Sequence, residues 1–335
     1  MGWWLVDADT LAGSRFVVSP LAEATAALKT LDRAAASHPG ERAWLDAHLP
    51  AYRERLAGDP VTGLLVRAGL GRAWNADFLT PTPTGDGGPT FEEELARVRE
   101  TPAEEARAHL AVSLDGRLPA RLDRSDLPER AAEILRWVWA ETVLPHWPRR
   151  RRIIEADIVA RTAQLGRGGW AAALNGMRPG MRWLGEGRLQ INTRDHPPRE
   201  ASGARLLFVP VTPDRGWVAW DTPPAPGPGR PGHRRYAVVY PCSGALAGTD
   251  RASVPEPLGR LLGPARAAVL CLLGTPMSTT QLVALTGQGL GSVGRHLRVL
   301  LDAGLVRRRR AGRGVVYYEK DKGDVLVGGR GRFKK

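Results

Sequence analysis

The sequence predicts an α+β protein: an N-terminal domain over 1–250 mixing helices with an antiparallel sheet, then three helices and a β-hairpin over 257–320 and a flexible basic tail over 321–335. Three observations carry this reading. Apolar residues recur at helical spacing up to about Met181, the period then becomes that of strands, and the charge rises near residue 250. Residues 255–335 hold 15 Lys and Arg against five Asp and Glu, so ten of the net +13 charges lie in the last quarter.

Residues 3–6 and 15–19 read as short strands, and 20–36 as a helix with Leu21, Ala24, Leu28 and Leu31 on one side. Trp44, Leu45, Leu49, Tyr52 and Leu56 recur at helical spacing over 41–56, an aromatic stripe of the kind that builds a core. The proline- and glycine-rich run 80–89 reads as an exposed loop, and 91–100 and 102–114 as helices. An amphipathic helix is expected over 129–144, with Pro145 and Pro148 bending the chain before Arg149, Arg150, Arg151 and Arg152. These arginines read first as the solvated start of a helix continuing through Ile153, Ile154, Ile158 and Val159, and second as an additional phosphate-contacting patch. Runs 188–193, 205–211, 216–221 and 236–240 predict a small, mostly antiparallel sheet. The proline-rich stretch 222–233 is then a long loop within that sheet, and the domain boundary falls near 249–257.

The C-terminal part is read from its punctuation. Gly263-Pro264 opens a helix at the position where proline's missing N–H is no loss; Val269, Leu270, Leu272 and Leu273 are its apolar face, and Gly274-Thr275-Pro276 stops it. Ser278-Thr279-Thr280-Gln281 has the form of a capping box for a short helix that buries Leu282 and Leu285. Gly287 and Gly289 are expected to permit a tight turn. A third helix over 290–303 places Val293, Leu297, Leu300 and Leu301 inward, leaving Gly291, Ser292, Arg295, Arg298 and Asp302 outward with His296 at the edge. Gly304 ends it. A hairpin follows, 305–310 and 315–318 about a turn at 311–314. Helix, capped helix, turn, striped helix and basic hairpin in this order make a winged helix-turn-helix, whose third helix enters the major groove of double-stranded DNA. The candidate DNA contacts are Ser278, Thr279, Gln281, Gly291, Ser292, Arg295, His296 and Arg298, with Arg310 and Arg313 of the wing on the backbone or minor groove. Local basicity is the footprint expected of such a module.

Residues 261–266 and 296–306 resemble the corresponding parts of ArsR-type winged-helix repressors. Gly168-Gly169-Trp170, the run 178–185 and Tyr240-Pro241-Cys242-Ser243-Gly244 resemble an uncharacterised N-terminal domain that precedes such a module in a group of actinobacterial regulators. The resemblance implies a transcriptional repressor. Where members carry serines near the start and middle of the third helix this chain has Gly289 and Gly294, and the Cys-x-Cys pair of metal-sensing members is absent.

Cys242 and Cys271 are too far apart in sequence to suggest a disulfide framework or zinc spacing, so a reducing cytoplasm, at the nucleoid, is the expected location and no metal or cofactor is implied. Cys271 reads as a packed core residue, with redox sensing the lesser alternative. The apolar run 1–6 is too short for a signal peptide, and no run is long enough to span a membrane. Asp195-His196 and Cys242-Ser243-Gly244 suggest a base and a nucleophile, but both read more simply as turns, so no catalytic residue is expected. All eleven tryptophans lie at or before Trp220; most are core, and Trp170, Trp183, Trp217 and Trp220 are candidates for an effector pocket or dimer contact. The reading is a homodimeric, sequence-specific regulator with a small-molecule or protein effector at its N-terminal domain. A nucleic-acid-tethered enzyme is the alternative, and a non-specific chromosome-associated protein a third reading.

Overall fold

A computed structural model describes residues 2–37, 39–71, 74–85, 87–193, 196–221, 234–242, 254–273, 277–286, 288–311 and 314–319. The chain opens with β1 (Gly2–Leu5), α1 (Ala8–Ala12), β2 (Arg15–Phe16) and α2 (Pro20–Arg33). The expected strand over 15–19 is thus two residues long. Helix α2 starts where predicted: the Ser19 hydroxyl accepts the Ala22 N–H at 3.0 Å and Pro20 occupies the first turn. It ends at Ala34, in the left-handed region at φ 48°, before the expected residue 36.

Helices α3 (Pro39–Gly58), α4 (Pro60–Gly69), α5 (Phe91–Arg99), α6 (Ala103–Leu114) and α7 (Leu127–Val138) build a helical layer. Leu28 and Leu31 of α2, Leu45 of α3, Leu65 of α4, Leu95 of α5, Leu110 of α6 and Ile134 of α7 meet in its core. Helices α1 and α4 were not read from the sequence, although Asp59, whose carboxylate accepts the Thr62 N–H, and Pro60 mark the start of α4. The segment 80–89 is not wholly exposed: Thr82 is buried and its carbonyl accepts from Arg97. The expected helix over 129–144 instead stops being α-helical at Val138, passes through a π turn (Trp139–Val143) and a 3₁₀ turn (Leu144–His146), and restarts as α8 (Trp147–Leu174). Gly169, at φ 68° and ψ −171°, interrupts α8 near its end.

Strands β3 (Arg182–Gly185), β4 (Arg188–Asn192), β5 (Arg199–Glu200), β6 (Arg205–Val211), β7 (Trp217–Trp220) and β8 (Arg235–Pro241) complete two four-stranded sheets, ordered β3-β4-β1-β5 and β2-β6-β8-β7. The α+β class holds, but one mostly antiparallel sheet is corrected to two mixed ones, because β1 pairs parallel with β5, and β6 pairs parallel with both β2 and β8. The reason is burial on both faces: Leu206 and Phe208 of β6 with Tyr236, Val238 and Tyr240 of β8 face one apolar cluster, while Leu207, Val209, Ala237 and Val239 face another against Ala22 and Ala26 of α2. Continuous apolar runs in β6 and β8 were the available signal. Segment 222–233 lies outside the described residues, but the strands flanking it pair antiparallel, Trp220 opposite Tyr236.

Four consecutive arginines at the start of α8 do not share one environment. Arg151 and Arg152 are exposed, as the solvated-face reading expects, and Arg151 pairs with Glu155 at 2.9 Å. Arg150 is turned inward: its side chain is 11% exposed and reaches the fully buried Glu23 carboxylate of α2 at 2.6 Å. Thr212, just past β6, completes that site through its N–H at 2.8 Å and its hydroxyl. Arg150→Met would strand a buried carboxylate, so it is expected to cost about 3–5 kcal/mol in denaturant unfolding of the full chain. A loss below about 1 kcal/mol would mean that the pair behaves as a solvated one.

Candidate nucleic-acid interface

Helix α9 (Glu256–Leu262), not foreseen from the sequence, leads into α10 (Pro264–Leu272), α11 (Thr279–Thr286) and α12 (Leu290–Asp302). Residues 249–253 of the expected boundary and 274–276, the expected stop of α10, lie outside the described residues, and the last boundary residues, 254–257, lead into α9. Pro264 sits in the first turn of α10, as its sequence position implies. Ala267, Val269, Leu270, Leu272, Leu273, Leu282, Val293, Leu297, Leu300 and Val306 form one core, so the inward stripe of α12 is the expected one, with Leu301 packed at its border. Half-buried Cys271 packs against the same core.

Helix α12 ends by a double hydrogen bond: the Gly304 N–H donates to the Leu301 carbonyl at 2.9 Å and the Leu305 N–H to the Leu300 carbonyl at 3.0 Å. Gly304 stands at φ 69°, where glycine alone is unstrained. The same argument fails at Gly289: at φ −64° and ψ 151° it precedes α12 in ordinary extended backbone, and Gly287 lies outside the described residues.

β9 (Val306–Ala311) and β10 (Gly314–Glu319) pair antiparallel with Ala311 opposite Gly314, so the strands extend one residue further at the turn than expected. Arg308 pairs with Tyr317 and Arg307 with Tyr318, and Arg309 lies over the Tyr318 ring at 6.0 Å. The hairpin is anchored from the other side: Met277 and Tyr317 exchange both backbone hydrogen bonds, at 2.8 and 2.7 Å. This third edge was invisible in the sequence because a single bridging residue has no period.

The outward face of α12 contains the expected cations. Arg295 and Arg298 are exposed and, among the described residues, form no ion pair or hydrogen bond, Asp302 on the same helix included. Gly291 is exposed, Leu290 before it is 64% exposed, and Val299, two turns further on, is 42% exposed. Ser292 is half-buried and occupied: its hydroxyl donates to Gln288 Oε1 at 3.2 Å and lies 3.3 Å from His296 Nε2. Gln288 also donates to the Ala265 carbonyl at 3.3 Å, tying α10 to the start of α12, a role sequence reasoning missed. Partial burial, with Arg266 and Arg295 nearby, holds the His296 imidazole below its usual pKa.

Ser278 and Thr279 stand half-buried at the start of α11, where the Leu282 N–H donates to the Ser278 carbonyl at 3.1 Å. The side chains of Gln281 and Arg310, and all of Arg313, lie outside the described residues, so the proposed box and wing-tip contact rest on sequence. α11 is also engaged by the N-terminal part of the chain: Leu285 packs against the cluster formed by Ile153, Ile154 and Ala156 of α8 with Cys242. Cys242 is buried, which pushes its thiol well above the usual range, and the His196 ring lies tilted against Trp74 with centroids 5.0 Å apart.

Residues 261–309 match the family model of a helix-turn-helix domain. Comparisons with curated proteins and with solved structures return no match for the chain. This segment is thus a helix-turn-helix DNA-binding domain, to which the geometry adds the hairpin and its Met277 edge. Among the described residues no helix is long and apolar enough to cross a membrane. A Cβ at Gly304 would meet nothing within 4 Å, so Gly304→Ala tests backbone conformation alone. It is expected to cost roughly 1–2 kcal/mol in chemical unfolding, and no loss would mean that α12 ends by another route.

Proposed function

We propose that the chain is a sequence-specific transcriptional regulator that binds double-stranded DNA as a homodimer, with α12 in the major groove and the wing on the backbone. The observation that carries this is the free outer face of α12, where exposed Arg295 and Arg298 lie between the exposed apolar Leu290 and Val299 on a helix fixed from behind by Val293, Leu297 and Leu300. Guanidinium groups suit guanine edges, and exposed apolar side chains suit thymine methyls. One such helix reads only a few base pairs, so two half-sites bound by a dimer are needed for a unique operator. Repression rather than activation rests on the resemblance to ArsR-type repressors. The N-terminal 250 residues hold the effector site and contribute no enzymatic activity, and the protein acts in the cytoplasm at the nucleoid. Genome-wide mapping of bound sites, with competition by random duplex, tests this reading. Equal affinity for mapped and random duplexes would make it a non-specific chromosome-associated protein.

Arg295→Ala is expected to cost on the order of 1–3 kcal/mol at the cognate site while leaving weak non-specific binding, read by titration against both duplexes. Equal losses on both would exclude direct base reading by Arg295. Arg313→Ala is expected to weaken both duplexes by similar factors and to make the slope of log affinity against log salt shallower by about 1. An unchanged slope, with loss confined to A·T-rich flanks, would assign Arg313 to the minor groove instead.

A further inference from the structure

A half-open cleft of 340 Å³ lies between α2, the start of β1 and strand β7, walled by Trp74, Trp217 and Trp220 and by the cations Lys29, Arg178 and Arg199. No carboxylate lines it among the described residues. Lys29, 4% exposed, donates to Asn75 Oδ1 at 2.6 Å and stands 5.4 Å from the Trp217 ring, both neutral partners. Burial first, and then Arg33, Arg215 and Arg178, push its ammonium down to about 7, against a weaker upward pull from Asp32. Asp32 is hydrogen-bonded by Tyr52 and does not line the cleft. Arg178 has its Nε and Nη1 buried without a hydrogen-bond partner among the described residues, and burial pushes its guanidinium down to about 10.

Buried cations are ordinarily paired, because desolvation without a counter-charge is strongly unfavourable. Two such cations lining one cleft, with no carboxylate among its described lining residues, favour a bound anion. Its aromatic wall is ordered: Trp74 meets His196 at 5.0 Å and Trp220 edge-on at 6.0 Å, and Arg199 lies over Trp220 at 3.9 Å. The volume is at the small end for ligand pockets, which suits one or two rings.

We propose that this cleft binds a small aromatic carboxylate, its charge held by Lys29 and Arg178 and its ring against Trp74 and Trp220. The inference gives a location and chemical class to the effector proposed above, but binding is measured without DNA and stands apart from the DNA reading.

The test is calorimetry and tryptophan fluorescence of the full chain with benzoate, salicylate and indole-3-carboxylate, against acetate, inorganic phosphate and benzyl alcohol. At least one aromatic acid is expected to bind about tenfold or more tighter than all three controls. Lys29→Met and Arg178→Met should each weaken it by about tenfold or more while leaving the unliganded melting temperature unchanged or higher, since each removes a buried cation lacking an anionic partner. A merely structural role would lower the melting temperature, and would overturn the assignment for that residue. An Arg178→Met chain that fails to fold overturns the assignment of Arg178, and the site is then decided by Lys29→Met and Trp74→Leu, each expected to weaken the aromatic acid about tenfold or more. Aromatic acids binding no tighter than acetate, or phosphate binding as tightly as they do, would overturn the proposal. An acid that binds but leaves DNA affinity unchanged supports the site and removes its role as the effector site.

Discussion

The N-terminal architecture depends on one buried carboxylate. Glu23 lies on α2, a helix covered on one side by the helical core and on the other by the β6–β8 sheet, so its charge has no route to water. It is satisfied by Arg150 from α8 and by two donors of Thr212 beyond β6. Three segments distant in sequence are thereby held in one register, because a buried carboxylate tolerates neither a missing donor nor a displaced one. Glu94 works similarly from α5: it accepts the Ser19 hydroxyl and the Leu21 N–H at the start of α2, and burial raises its carboxyl to about 7.

The same α8 carries the helix-turn-helix domain. Arg150 near its start faces Glu23, while Ile153, Ile154 and Ala156 form the apolar seat for Leu285 of α11. Docking through α11 leaves the basic outer face of α12 exposed. The seat also contains Cys242, which lines a second cleft of 760 Å³ with Arg161 and Arg178. Arg178 is shared with the tryptophan-lined cleft, so a contiguous set of side chains joins that cleft to the seat of α11. Contiguity of this kind gives a ligand in that cleft a physical route to the DNA-binding domain.

Much was legible where local chemistry decides structure. The start of α2, the inward stripe and glycine stop of α12, and the hairpin follow from capping, period and turn chemistry, and the structure contains them. The exposure of Arg295 and Arg298 was equally legible, since helical geometry puts them opposite Val293, Leu297 and Leu300. Ser292 was read as a free contact, yet Gln288 and His296, four residues to either side, occupy it. Such a bond depends on rotamers, which no spacing specifies.

What the sequence by itself determined, then, was the identity of local elements and the module they compose, because caps, periodicity and charge act over a few residues. Tertiary structure decided the rest: that β6 runs parallel to β8, that Arg150 turns inward from a run of four arginines, that Met277 edges the wing, and that α11 rests on α8. It also brought Lys29, Trp74, Arg178 and Trp220 to one cleft from positions almost two hundred residues apart. Strand direction, burial of charge and convergence of side chains depend on which surfaces exclude water together, and that is a property of the packed chain rather than of any segment.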